Sequence, residues 1–83
     1  MLRVLYFASL REAFGMDREE LALPQPATVA GLIALLRYRG GAWSERLAPE
    51  KRWRVAINHD MAGLDSAIAN GDEIAIFPPV TGG

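Results

Sequence analysis

Hydrophobic and polar positions change period several times along this chain, and each change marks an element. Leu2 to Ala8 is nearly continuous apolar sequence with the β-formers Val4, Tyr6 and Phe7. So short a run predicts a strand covered on much of both faces, hence a central one. Period two puts Val4 and Tyr6 on one side and Arg3, Leu5 and Phe7 on the other. Ser9 is placed to cap a short helix, Leu10 to Phe14, which Gly15 closes. Glu19 to Leu23 alternates, with Glu19, Leu21 and Leu23 against Glu20 and Ala22, and reads as an edge strand stopped by Pro24 and Pro26.

From Thr28 the period becomes helical. Val29, Leu32, Ile33 and Leu36 fall at i, i+3, i+4 and i+7, one apolar stripe for one face of a sheet. Thr28 is a good N-cap, Gly31 costs the helix on the order of 1 kcal/mol relative to alanine, and Gly40-Gly41 ends it. Residues 42–52 predict a helical turn followed by a loop. Trp53 to Asn58 is a strand with Val55 and Ile57 on one face, Asn58-His59-Asp60 has turn chemistry, and Met61 to Gly63 is a brief return strand. Leu64 to Asn70 is a connection with room for a helical turn. Gly71-Asp72 then turns into a last strand, Glu73 to Phe77, with Ile74 and Ile76 inward and Ala75 and Phe77 on the opposite face. These elements predict an α+β domain over residues 1–77: a β-grasp, or ubiquitin-like, mixed sheet with one main helix packed across it. Its first and last strands are expected to be central, parallel neighbours.

Residues 78–83 break the pattern. Pro78 and Pro79 lack a backbone donor and fix φ, so the last strand stops and continues as extended chain. Val80 and Thr81 are β-branched and favour extension, and Gly82-Gly83 present bare main chain ending in a carboxylate. Fully extended, this tail spans roughly 20 Å at ~3.3 Å per residue. It suits a channel too narrow for side chains.

Composition narrows the chemistry. No cysteine is present, which excludes disulfides, thiolate metal sites and a cysteine nucleophile. His59 is the only histidine and cannot make a zinc site alone, so no metal and no resident cofactor are expected. There is no phosphate-binding or dinucleotide-binding glycine motif. The formal net charge of −1 gives no general attraction to nucleic acid or membrane. Six basic residues between Arg37 and Arg54 face only Glu45 and Glu50, and read as a solvated face. The apolar N-terminus is interrupted by Arg11-Glu12 and has no cleavage site, so a cytoplasmic protein is expected. That leaves the carboxyl of Gly83 as the reactive feature. A carboxylate must first be activated, for example as an adenylate, before sulfur or an amine displaces the leaving group.

Three blocks, Val4 to Glu12, Val55 to Asn58 and Gly71 to Gly83, resemble the small, sulfur-carrier subunits of molybdopterin synthase, in order and over the whole chain. The resemblance implies that an E1-like adenylyltransferase activates Gly83 with ATP and that a sulfur donor protein converts it to a thiocarboxylate. The tail, Pro79, Val80, Thr81 and Gly82, would then enter a large synthase subunit, where sulfur passes to cyclic pyranopterin monophosphate. It further implies docking through Phe7, Met61 and Phe77, with Arg11 and Glu12 helping to choose the partner, in a heterotetramer of two small and two large subunits. Ordering Val80 to Gly83 costs about 1–2 kcal/mol per residue, and burying three large apolar side chains returns roughly 1.5–3 kcal/mol each, so such an anchor offsets the cost. A ubiquitin-like protein modifier and a thiamine-pathway sulfur carrier share the Gly-Gly ending and stand as alternatives.

Overall fold

The computed structural model describes residues 1–79; the expectations placed on Val80, Thr81, Gly82 and Gly83 lie outside the described residues. Five strands, β1 (Leu2–Tyr6), β2 (Arg18–Leu21), β3 (Arg54–Ile57), β4 (Asp60–Ala62) and β5 (Glu73–Phe77), form one sheet in the order β2-β1-β5-β3-β4. The first and last strands are central and parallel, with Val4 opposite Ile74 and Tyr6 opposite Ile76, and the other pairs are antiparallel. Between strands lie the helices α1 (Ala8–Phe14), α2 (Val29–Arg37) and α3 (Ala42–Arg46).

One face of the sheet carries Leu2, Val4, Tyr6, Val55, Ile74 and Ile76, and α2 covers it with Val29, Leu32, Ile33 and Leu36, all buried. Thr28 caps α2 as its sequence suggests, its Oγ1 accepting from the Gly31 N–H at 3.1 Å. Gly31 itself needs a correction. A Cβ built there would lie 2.0 Å from the carbonyl oxygen of Pro26, which is backbone and cannot rotate aside. Glycine therefore lets the Pro24–Pro26 loop approach the helix, and its helix-propensity cost is offset by that contact.

Three further expectations shift. The short helix begins at Ala8 and not Leu10, and Ser9 lies inside it, not at its cap. The Phe7 N–H still bonds the Ile76 carbonyl at 3.3 Å, so the strand persists until the helix must start; Ala8 takes the corner with φ 52°, and the Phe7 carbonyl accepts from Leu10 and Arg11. Residues 64–70 hold turns and an isolated bridge, Thr28 to Ala67, in place of a helical turn. Lastly, β1 is covered on one face only: Leu5 is half-buried and Phe7 exposed, because the chain supplies a single helical layer.

A polar clasp closes the β2 side. Tyr6 donates to Glu19 Oε2 at 2.6 Å, and the Arg39 guanidinium grips both Glu19 oxygens at 2.8 Å. Arg39 also lies 4.4 Å over the ring of Trp43, which stacks on Phe14 with centroids 3.8 Å apart. Trp43 thus faces inward and serves packing. Burial pushes the Glu19 carboxyl upward, but the hydrogen bonds from Arg39 and Tyr6 outweigh it, and the group sits below its ordinary range. Asp72 is also depressed, by hydrogen bonds from Asn58 and the Ala69 N–H. Carboxyls depressed on folding stabilise the fold above their unfolded range and lose that contribution as pH falls through their folded values. Denaturation midpoints measured from about pH 5 downward should fall, and Glu19→Gln should flatten that fall while lowering the midpoint at pH 7. An unchanged acid profile in the variant would remove Glu19 from this role.

Candidate functional site

The uncovered face of the sheet follows from strand register. Leu5, Ala75, Ala56 and Met61 lie side by side across four strands, and the next row holds Arg54 and Phe77. Phe7, just past β1, continues that row: its ring stacks on Phe77 with centroids 4.9 Å apart and planes 14° from parallel. Such a pair is worth about 0.5–1.5 kcal/mol beyond its buried area. Phe7 nonetheless remains 39% exposed and Met61 60% exposed. Large apolar side chains left open on one face make it a candidate interaction surface.

The expected docking residues are therefore on one face but not in one cluster. Phe7 and Phe77 touch. Met61 lies two strands from Phe77, on the outer strand β4. Arg11, exposed on α1, is one helical turn beyond Phe7. Period two had already put Leu5 on the side of Phe7, as the register bears out, but sequence reasoning named neither Leu5 nor Arg54 among the docking residues.

β5 ends at Phe77, and Pro78 and Pro79 follow, half-buried and exposed respectively. The chain thus leaves the sheet from a central strand beside the stacked rings. At this exit a cavity of about 300 Å³ is lined by Ser9, Leu10, Glu45, Arg46, Lys51 and Pro79. His59 lies toward the opposite end of the sheet, in the two-residue turn between β3 and β4 (φ 74°), well exposed and 3.8 Å from Glu73. It is the solvated turn residue that its surroundings in the sequence imply. Among the described residues no group of three or more His, Cys, Asp or Glu is placed to hold a metal ion, and no helix is long and apolar enough to cross a membrane.

A five-stranded mixed sheet with parallel central strands, one covering helix and an apolar open face beside the final strand defines a β-grasp protein of the ubiquitin-like class. The sequence model of the ThiS family matches residues 4–83, and the chain belongs to that family. It is 48% identical to the molybdopterin synthase sulfur carrier subunit of Haemophilus influenzae, with 100% of both chains covered. The crystal structure of small archaeal modifier protein 1 (SAMP1) from Haloferax volcanii superposes with a TM-score of 0.77 at 31% identity, covering 99% of this chain and 98% of that one. A complex of subunits 1 and 2 of molybdopterin-converting factor from Helicobacter pylori shares the fold, with a TM-score of 0.69 at 22% identity over 99% of this chain and 97% of that one.

Proposed function

We propose that this chain is the sulfur-carrier subunit of a molybdopterin synthase, acting in the cytoplasm, and that it carries sulfur on the carboxyl of Gly83. The observation that carries the reading is the exit of β5 into Pro78-Pro79 beside a partly exposed Phe7–Phe77 stack. Full-length similarity to a sulfur carrier subunit supports it. An E1-like adenylyltransferase exchanges the pyrophosphate of ATP for the Gly83 carboxylate, giving an acyl adenylate. Sulfur from a donor protein then displaces AMP and leaves a thiocarboxylate. The open face docks on the large subunit, the tail enters it, and the sulfur passes to cyclic pyranopterin monophosphate; two transfers build the dithiolene. Two small and two large subunits form the complex, and the large subunit supplies the catalytic side chains.

The test is intact mass after incubation with ATP, the activating enzyme and a sulfur source. Exchange of one oxygen for sulfur adds about 16 Da, localised to Gly83 by fragmentation; an unaltered mass despite adenylation counts against the reading. The likeness to a small archaeal modifier favours one other outcome, conjugation of Gly83 to lysines of other proteins. Isopeptide adducts without the mass gain would select it.

A further inference from the structure

We infer that the trough between α2 and residues 49–53 is a second docking site, which takes an extended segment of a partner protein bearing aliphatic side chains flanked by carboxylates. The site stands apart from the role proposed for Gly83. α2 gives the first sign. Its residues read Val-Ala-Gly-Leu-Ile-Ala-Leu-Leu-Arg, eight positions without a charge and then one arginine. Covering the sheet needs one apolar side only, yet Ala30, Ala34 and Leu35 face solvent, and Tyr38 just beyond them is 90% exposed. A helix apolar on every side is normally enclosed on every side.

Beside α2 lies a cavity of about 220 Å³, with Ala30, Ala34 and Arg37 on one wall and Pro49, Trp53 and Leu64 on the other. The latter three also line a cavity of about 440 Å³ that runs on past Lys51 and Arg54 to Met61. Together they make one trough around the β4 edge. Both walls are fixed. The Trp53 indole N–H donates to the Ala48 carbonyl at 3.1 Å, the Lys51 N–H donates to the same oxygen at 3.0 Å, and the Ala30 N–H donates to the Leu64 carbonyl at 3.0 Å. A trough already formed loses little in ordering when it is filled. A helix with its side chains is about 10–12 Å across, too wide for these spaces, whereas an extended segment inserts alternate side chains one at a time.

Charge selects the occupant. Of the six basic residues between Arg37 and Arg54, Arg39 pairs with Glu19 and Arg46 reaches Glu45. Arg37, Lys51 and Arg54 line the trough, and none of them has an ion-pair partner among the described residues. Arg37 Nε is buried and donates to nothing there, and an unmet buried donor is costly. Among the described residues no acidic side chain lines either cavity. Cations on an apolar trough are complemented by carboxylates. A second copy docked through the same surface would set these cations against their equivalents, which disfavours it.

The test uses the full chain, isotopically labelled, and a short blocked peptide of alternating leucine and glutamate. The peptide should saturate its site below about 1 mM, moving the NMR signals of Ala34, Arg37, the Trp53 indole and Leu64 and leaving those of Phe7 and Phe77 in place. Arg37→Glu, and Ala34→Trp at an exposed position clear of the core, should each weaken binding about tenfold or more. The leucine–lysine counterpart should not bind. Signals moving only at Phe7 and Phe77, equal binding of both peptides, or no binding at about 1 mM would overturn the inference. So would dimers of the chain alone formed through α2, or retention on phosphatidylserine vesicles without affinity for the peptide, since these make the occupant a second copy or a membrane.

Discussion

Adding one residue after Gly83, or deleting Gly83, should abolish the proposed sulfur transfer and leave the melting temperature unchanged. The reason is geometric. One residue moves the reacting carbonyl by ~3.3 Å, and a misplacement of ~1 Å already costs about 10²-fold in rate. The buried core among the described residues runs from Leu2 to Ile76, and stability is expected to follow that core. Full activity in the extended form would sink the proposed mechanism. Phe77→Asp acts on the other half of the problem. It removes the stack with Phe7 and puts a charge on the open face, so binding to the proposed large-subunit partner should weaken several-fold or more. Excess partner then restores transfer, whereas it cannot rescue the lengthened tail. Calorimetric titration of both variants separates the two effects.

Gly31→Ala lowers stability, although helix propensity alone assigns it a gain of about 1 kcal/mol. The added Cβ would stand 2.0 Å from the Pro26 carbonyl oxygen, and that oxygen also accepts from the Thr28 N–H at 2.9 Å. The loop must retreat and drag on the cap of α2. Overpacking of this kind costs typically 1–3 kcal/mol, which in a domain of this size lowers Tm by roughly 4–8 °C per kcal/mol. A melting temperature equal to or above that of the parent would show that the loop yields freely.

These two positions also show where sequence was informative. The α2 stripe and the alternation in β5 report burial in one layer, and burial follows directly from side-chain type and period. The central pairing of the first and last strands was legible for the same reason: a run as apolar as Leu2 to Tyr6 is at home beside another like it, Ile74 and Ile76. Gly31 was misread because its neighbour is a backbone oxygen brought from five residues away by a loop, which no periodic pattern records. Ser9 was misread because a cap depends on where the preceding strand releases the chain, and the bond from Phe7 to Ile76 is tertiary. The open face was half legible. Period two gave its members, but the missing second layer depends on how many helices the whole chain can spend. Trp43 and Arg39 were opaque, since their pairing with Phe14 and Glu19 joins four separate segments.

The shared direction of β1 and β5 has a practical reading for anyone handling this protein. A fluorophore, an affinity handle or a link to a sensor surface attached ahead of Leu2 sits roughly a full strand length from the exit at Pro78. Attachments at that edge should leave the exit of β5 unobstructed, so that the proposed transfers can be followed on a tethered chain.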